Sequence, residues 1–199
     1  MRYDANHRER TRKQLVTEAS EAIRRDGPDR VSVAAIMGHV GLTHGGFYAH
    51  FKSKDDLIAT AIDEMFDQTS QSFAKRTANR PPAEALAKYI DSYLSKTHVE
   101  QVQTGCPLPA MAGDVARLGP KARKRFAAGA ERQCHNSARL FREIGYGDEE
   151  AVNLASSLMA EMSGAIAIAR AVHTPAQAKA ICERSRLVIK RRLGLTASM

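Results

Sequence analysis

The sequence predicts an all-α protein with about nine helices. Its 199 residues include no tryptophan, and the 7 prolines and 13 glycines cluster at a few places along the chain. Between those places apolar residues recur at intervals of three and four, the period of one helix face. A sheet sandwich would instead show turn residues about every ten positions. The apolar share of 43% is enough for a sizeable buried core.

The first helix is predicted from about His7 to Arg25. Its apolar stripe is formed by Leu15, Ala19, Ala22 and Ile23. Gly27 and Pro28 end it, because glycine adopts the left-handed cap conformation and proline cannot continue a helix.

Two short helices are predicted next, separated by a turn at Gly41. Ser32 is placed to cap the first of them and Thr43 the second. In the second helix, Phe47 and Phe51 lie four residues apart on one face and are expected to point inward. The opposite face presents short or polar side chains, as a helix inserted into the major groove of DNA requires. The pair therefore has the pattern of a helix-turn-helix.

Two adjacent glycines, Gly45 and Gly46, interrupt the second short helix. Each costs roughly 1 kcal/mol relative to alanine inside a helix. Close approach of the backbone to DNA would justify that cost. The alternative is that the two glycines only occupy a frayed first turn.

The rest of the chain is also helical in pattern. A long helix is predicted from Ser53 to Arg76, with Ser53 as its cap and Asp56 completing a variant of the capping box. Pro81 and Pro82 break the pattern and mark a boundary between two halves. Further helices are expected at about 83–100, in a short segment ending near 118, and at 120–144, 148–172 (capped by Asp148) and 174–193.

The run THGGFYAHFKSKDDL, from Thr43 to Leu57, resembles the signature of the TetR/AcrR family of transcriptional regulators. The basic opening of the first helix matches as well, and the specific resemblance covers about residues 8–67. It implies a DNA-binding domain at residues 1–52, a shared connecting helix at 53–77, and a ligand-binding and dimerisation domain at 78–199. The remainder resembles the family only in the number and length of its helices.

The resemblance implies that several residues hold the DNA backbone. Thr43 and Tyr48 would contact phosphates or sugars, and Lys54 would add a charge-assisted phosphate contact. Ser32 and Val33 would reach the backbone through the free N–H groups at the start of their helix.

Three further residues are implied to face the edges of the bases: His44, Gly45 and Gly46. His44 is the only long polar side chain among them. His50 is either a phosphate contact or a buried hydrogen-bond partner. With so few base-reading side chains, recognition has to depend partly on DNA shape, so the operator cannot be read from the sequence.

The last two long helices are the expected homodimer interface. The first carries small residues that allow close helix approach, and the second carries an apolar seam of Ala180, Ile181, Leu187 and Val188. The alternative is that both helices fill the core of a single subunit. The helix at 120–144 is strongly basic, which is expected to reflect a solvated face; a second nucleic-acid surface is the alternative.

Aromatic and flexible side chains on the long helices are expected to line an effector pocket, or else to form ordinary core. They are Phe66, Phe73, Tyr89, Tyr93, Met111, Phe126, Met159 and Met162. The resemblance implies a mostly apolar small-molecule effector.

Cys106 lies in an irregular corner between Gly105 and Pro107. A position at the start of the next helix would lower the pKa of its thiol, and some regulators similar to this one sense electrophiles through such a cysteine. Faster alkylation of Cys106 than of Cys134 and Cys182 is then expected. The alternative is a small buried apolar residue.

The other classes of function lack a motif. No nucleotide-binding loop, nucleophile elbow or metal motif is present, so neither an enzyme nor a cofactor is expected. His39, His44 and His50 are not spaced to bind a metal together. Three unpaired cysteines and the absence of a leader or a membrane-spanning run predict a cytoplasmic protein. A DNA-binding repressor is expected, with an activator of the same fold or a helical adaptor without sequence-specific DNA binding as alternatives.

Overall fold

The computed structural model describes residues 2–195 and confirms the all-α fold class. Nine α-helices and two short 3₁₀ helices cover most of these residues. They are α1 (Arg2–Asp26), α2 (Val33–His39), a 3₁₀ helix (His44–Ala49), α3 (Lys54–Thr77), α4 (Pro82–Tyr93), α5 (Lys96–Glu100), a second 3₁₀ helix (Val102–Thr104), α6 (Pro107–Val115), α7 (Pro120–Ile144), α8 (Asp148–Ala171) and α9 (Pro175–Arg192).

Side-chain caps begin several of the helices. The Ser32 hydroxyl accepts a hydrogen bond from the Ala35 N–H at 3.4 Å, as predicted. Ser53 caps α3 in the same way, but the Asp56 carboxylate accepts from the N–H of Lys52 and not from that of Ser53. The predicted capping box is therefore displaced by one residue. Its complete form occurs at the start of α9.

Three expected helix boundaries were wrong. Helix α1 begins at Arg2 and not at about His7. The helix predicted at 83–100 is two helices, because α4 ends at Tyr93 and the Ser95 hydroxyl accepts from the His98 N–H at 3.2 Å to begin α5. The predicted cap at Asp148 is the first residue of α8, and Gly147 occupies the cap position.

Helix α3 is the central element, since it packs against α1 on one side and α7 on the other. The two helices approach closely at Gly129, where a Cβ atom would lie 2.1 Å from Cδ2 of Phe66. Only glycine allows this spacing with the Phe66 ring in place.

A row of ion pairs joins α3 to α7 along their exposed edges. Lys121 binds Asp56, Arg125 lies 3.0 Å from Asp63, and Arg132 lies 2.8 Å from Asp67. The basic face of α7 was predicted to be solvated. These three side chains are 47–55% exposed while they pair with acidic residues of α3, which agrees with a solvated face.

Helices α8 and α9 each carry large apolar side chains that the described part of the subunit leaves exposed. Ile168 is 56% exposed, Leu187 52% and Val188 55%. By length and composition alone, α8 also meets the criterion for a membrane span. It packs against α7 and α9, however, and its Arg170 guanidinium donates to the backbone carbonyls of His98 and Val99.

Candidate functional site

The outer face of the first 3₁₀ helix carries a large exposed aromatic side chain. Tyr48 is 70% exposed, whereas its neighbours Phe47 and Phe51 are 3% and 2% exposed. The rings of Phe47 and Phe51 stack with centroids 5.6 Å apart and attach this segment to the core. Tyr48 is therefore presented to solvent by a rigid support.

Helix geometry in this segment differs from the expectation. Residues 44–49 form a 3₁₀ helix in place of an α-helix, and the Thr43 side chain makes no capping hydrogen bond. The hydroxyl of Thr43, which is exposed, is consequently free for an external partner. His44 is also exposed, on the same short helix.

The subunit itself does not require glycine at positions 45 and 46. A Cβ atom on Gly45 would meet nothing within 4 Å, and one on Gly46 would make an ordinary contact of 3.5 Å with Met37. Neither residue has a left-handed backbone conformation. Both fall in the first turn of the 3₁₀ helix, as the frayed-turn alternative requires. Close approach of the backbone to DNA at these glycines stays a proposal.

The flanking residues add positive charge and polar groups to this surface. Lys54 is half-buried and donates one hydrogen bond to the Asp29 carbonyl at 3.2 Å, which leaves two of its N–H groups for another acceptor. Ser32 is exposed and Val33 half-buried at the start of α2. Arg8 of α1 binds the Ala49 carbonyl and so joins α1 to the 3₁₀ helix.

His50 is half-buried, and its Nδ1 atom is buried without a hydrogen-bond partner. Burial and the nearby guanidinium groups of Arg8 and Arg12 hold its pKa below the ordinary value. His50 is therefore neutral at physiological pH and lacks the charge that would strengthen a phosphate contact. Its unpartnered Nδ1 does not favour the role of a buried hydrogen-bond partner either.

A cleft of about 450 Å³ opens between α3, α4, α5 and the corner at residues 104–106. Its aromatic wall is formed by Phe73, Tyr89 and Tyr93, whose rings contact one another edge to face. The remaining lining is largely polar: Gln68, Thr69, Ser72, Arg76, Lys88, Asp91, Ser92, Ser95, Thr97, His98, Gln101, Thr104, Gly105 and Cys106. Its volume lies within the range of small-molecule sites.

The predicted pocket residues divide into two groups. Tyr89 and Tyr93 line the cleft with Phe73. The other five do not line it: Phe66, Met111 and Met162 are buried in the core, and Phe126 and Met159 pack against the core while partly exposed.

Cys106 lines the cleft but is only 4% exposed. Burial raises the pKa of its thiol above the ordinary value, the opposite of the direction expected at a helix start. Its Sγ lies 3.7 Å from Oε1 of Gln133. Cys134 is half-buried, whereas Cys106 and Cys182 are buried. These exposures argue against the predicted order of alkylation, which stays a prediction.

Three residues beside the cleft were missed by the sequence prediction: Arg24, His98 and Arg170. His98 accepts from the Cys106 N–H at 3.0 Å through Nε2, while its Nδ1 lies 2.7 Å from the Tyr93 carbonyl. Arg24 of α1 is 3% exposed and donates to the Gly105 carbonyl at 3.2 Å. Arg24 follows the buried Ser20 by one helical turn, but the burial of Ser20 is seen only in the structure.

Comparison with known proteins agrees with this geometry. The family model described as bacterial regulatory proteins, tetR family, matches residues 15–61. The model described as transcriptional regulator LmrA/YxaF-like, C-terminal domain, matches residues 82–182. No curated protein sequence matches the chain.

Solved structures share the fold along nearly the whole chain. A TetR transcriptional regulator from Chloroflexus aurantiacus J-10-FL has a TM-score of 0.80 at 22% identity, covering 95% of this chain and 96% of its own. The reduced form of NemR from E. coli has a TM-score of 0.78 at 16% identity, with coverages of 91% and 95%. A TetR-family regulator from Agrobacterium tumefaciens has a TM-score of 0.77 at 22% identity, with coverages of 92% and 98%. Given the family models over both halves, this chain belongs to the TetR family of bacterial transcriptional regulators and is a DNA-binding regulator.

Proposed function

We propose that the protein is a ligand-responsive repressor that binds a palindromic operator as a homodimer. The observation that carries this proposal is the exposed Tyr48 on a 3₁₀ helix that Phe47 and Phe51 attach to the core. A projecting aromatic hydroxyl on a basic, rigid head is suited to a phosphate contact. An activator would share these features, so the direction of regulation has to be measured.

The proposed DNA contacts follow from exposure and unused hydrogen-bonding groups. Thr43, Tyr48 and Lys54 bind phosphates, supported by the free hydroxyl of Thr43 and the two unused N–H groups of Lys54. Ser32 and Val33 offer backbone N–H groups at the start of α2.

Base recognition is proposed for the short helix itself. His44 reads a base edge from its exposed position, and the open space around Gly45 permits close approach of the backbone. Gly46 approaches the DNA next to Gly45. His50 either contacts a phosphate or acts as a buried hydrogen-bond partner.

We propose domain limits of 1–52 for the DNA-binding head and 78–199 for the ligand-binding and dimerisation body, with residues 53–77 shared. Residues 196–199 lie outside the described part of the chain. Support comes from α3, which contacts both α1 and α7. A ligand that binds more tightly to a dimer with wrongly spaced heads would release the operator through α3.

The body is proposed to form the dimer through α8 and α9 and to hold an unidentified effector in the cleft. The exposed apolar side chains of these two helices support the first assignment, and the aromatic and polar cleft lining supports the second. We further propose that the protein acts in the cytoplasm and has no catalytic turnover or cofactor.

Cys106 is proposed as a second route of response, in which an electrophile entering the cleft modifies the thiol. Its burial means that the corner has to open before the reaction. Cys106→Ser would then abolish electrophile-triggered release of DNA, whereas Cys134→Ser would preserve it. Release that persists in Cys106→Ser would contradict this role.

The decisive experiment is selection of genomic DNA fragments by the purified protein, followed by binding measurements on the enriched site. Tyr48→Ala should weaken binding about tenfold for every sequence while the dimer stays intact. Tyr48→Phe, which keeps the ring, isolates the hydroxyl contribution. Unchanged affinity of Tyr48→Ala, or enrichment of no common site, would refute the proposal.

A further inference from the structure

Positive charge surrounds the cleft and is only partly neutralised. Arg76 and Lys88 are exposed in its lining, and the side-chain partner of Arg76 is the uncharged Ser72 hydroxyl. Asp91 is the only carboxylate among the lining residues. It is already held by Lys190 at 3.1 Å and by Arg186 at 3.8 Å. Asp91 therefore neutralises cations outside the lining, and within the described residues it leaves Arg76 and Lys88 without an ion pair.

A buried cation lies directly behind the cleft wall. The Arg24 guanidinium donates to the Gly105 carbonyl at 3.2 Å and to Oε1 of Gln68 at 2.7 Å, and both acceptors line the cleft. Its Nε atom is buried without a partner. Burial lowers the pKa of Arg24 to about 10, so the group stays charged at neutral pH.

Arg170 repeats this arrangement on the other side of Gly105. Its Nη2 atom donates to the His98 carbonyl at 2.7 Å and its Nε to the Val99 carbonyl at 3.3 Å, while Nη1 is buried without a partner. Neither guanidinium forms an ion pair within the described residues. The carboxylates of Glu21 and Glu64 compensate the charge of Arg24 only in part, because they act on it without direct contact. Buried charge is costly, and an anion in the cleft would offset the remaining cost.

We propose that the effector of this cleft is an organic anion with an apolar body, such as an aryl carboxylate or sulfonate. Its acidic group binds at the wall formed by Arg76, Lys88 and Gly105, and its apolar body packs against Phe73, Tyr89 and Tyr93. This inference rests on the proposed ligand-responsive function and adds the chemical class of the ligand.

The same arrangement offers a route from the ligand to the DNA-binding head. Arg24 belongs to α1, and the 3₁₀ helix Val102–Thr104 packs on α1 beside it. An anion near Gly105 competes with the Gly105 carbonyl for the Arg24 guanidinium. Loss of that hydrogen bond loosens the cleft corner from α1.

The experiment uses two fluorescent probes that differ by one acidic group. These are 8-anilinonaphthalene-1-sulfonate and its uncharged counterpart N-phenyl-1-naphthylamine, each titrated against the full-length protein. Arg76→Gln/Lys88→Gln is expected to weaken sulfonate binding at least tenfold and to change binding of the neutral probe less than twofold. Arg24→Gln tests the buried cation independently, with the same selective loss.

Arg123→Gln/Lys124→Gln is the matched control, because it removes the same charge from exposed positions on α7. It should leave both probes unaffected. Circular dichroism establishes that each variant retains its helices. The proposal is overturned if the native protein shows no saturable sulfonate binding, or if the cleft variant weakens both probes equally or neither.

This result is separable from the proposed function. A protein that binds its operator but shows no charge-dependent probe binding loses the ligand class and keeps its role as a repressor. A protein that selects no DNA site loses the repressor proposal, whatever the probes show.

Discussion

At the scale of single residues, His98 holds the corner of the cleft in place. Its Nδ1–H donates to the Tyr93 carbonyl, and its Nε2 accepts from the Cys106 N–H, so this pair of bonds requires the neutral ring. Burial lowers the pKa of His98 to about 4. Protonation would break the bond to Cys106 and would place a cation near Arg170.

The pKa of His98 predicts a loss of stability in mild acid. An unfolded histidine titrates near 6.5, so between pH 6.5 and pH 4 the unfolded chain binds a proton that the folded chain does not. The contribution of neutral His98 to stability is complete above pH 6.5 and decreases as the pH falls towards 4. Because the pKa in the folded protein is about 4, the free energy of unfolding falls by about 3 kcal/mol over this range.

Urea unfolding of the native protein and of His98→Asn between pH 7.5 and pH 4.5 measures this effect. The variant lacks the titrating group, so its stability should fall less steeply with decreasing pH, whatever its stability at pH 7.5. Parallel curves for the two proteins would show that His98 does not titrate as the geometry requires.

At the scale of helices, the contact between α3 and α7 combines an apolar close approach with three ion pairs. The hydrogen bond from Lys121 lowers the pKa of Asp56, whereas burial raises that of Asp63. Partly exposed ion pairs contribute about 0–1 kcal/mol each. The row of ion pairs therefore fixes the alignment of the two helices more than it stabilises them.

Gly129→Ala should destabilise the protein. The new Cβ would lie 2.1 Å from Cδ2 of Phe66, a ring that is itself 1% exposed and has little room to move. Overpacking costs about 1–3 kcal/mol, and a contact this short belongs at the upper end. The better helix propensity of alanine returns about 1 kcal/mol, so we expect a net loss of about 2 kcal/mol.

Gly113→Ala is the matched control, since a Cβ at this helical position meets nothing within 4 Å. It should stabilise the protein or leave it unchanged in the same denaturant titration. Phe66→Leu in the Gly129→Ala background should recover part of the loss. Equal effects of the two glycine substitutions would contradict close packing at Gly129.

The elements that the sequence predicted well are those with local signals. Ser32 and Ser53 begin helices and Gly27 ends one through bonds within a few residues, and the spacing of Phe47 and Phe51 defines a buried face. The 3₁₀ form of residues 44–49 was missed, because α and 3₁₀ helices share turn residues over such short lengths.

The cleft was harder to predict because it depends on contacts between distant parts of the chain. Arg24 reaches Gly105 across 81 positions, and Arg170 reaches His98 across 72. Phe66 and Tyr89 look alike in a helical stripe, yet one enters the core and the other lines the cleft. Periodicity gives the buried face of each helix but not its neighbour across the fold.

At the scale of the whole molecule, α8 and α9 carry apolar side chains that would remain exposed to water in an isolated subunit. Ile168, Leu187 and Val188 are each more than half exposed, whereas most large apolar side chains are buried. Two heads on one operator have to be held at a fixed distance, which the proposed dimer through these helices would provide. Dimerisation and DNA binding are therefore expected to fail together.

Leu187→Glu should convert the dimer to a folded monomer. The side chain is 52% exposed in the subunit, so a carboxylate there has access to water and does not disturb the core. In the dimer it would be buried without a partner, and this cost opposes association. Light scattering should report half the native mass, circular dichroism should stay native, and operator affinity should fall at least tenfold because a monomer contacts one half-site.

Ile144→Glu serves as the matched control, because Ile144 is an exposed apolar side chain at the end of α7 and outside the proposed interface. It should remain dimeric and bind the operator as the native protein does. A Leu187→Glu protein that stays dimeric would place the interface elsewhere. A monomer that binds the operator at native affinity would separate dimerisation from recognition, and the spacing of the two heads would then no longer explain how a ligand in the cleft releases DNA.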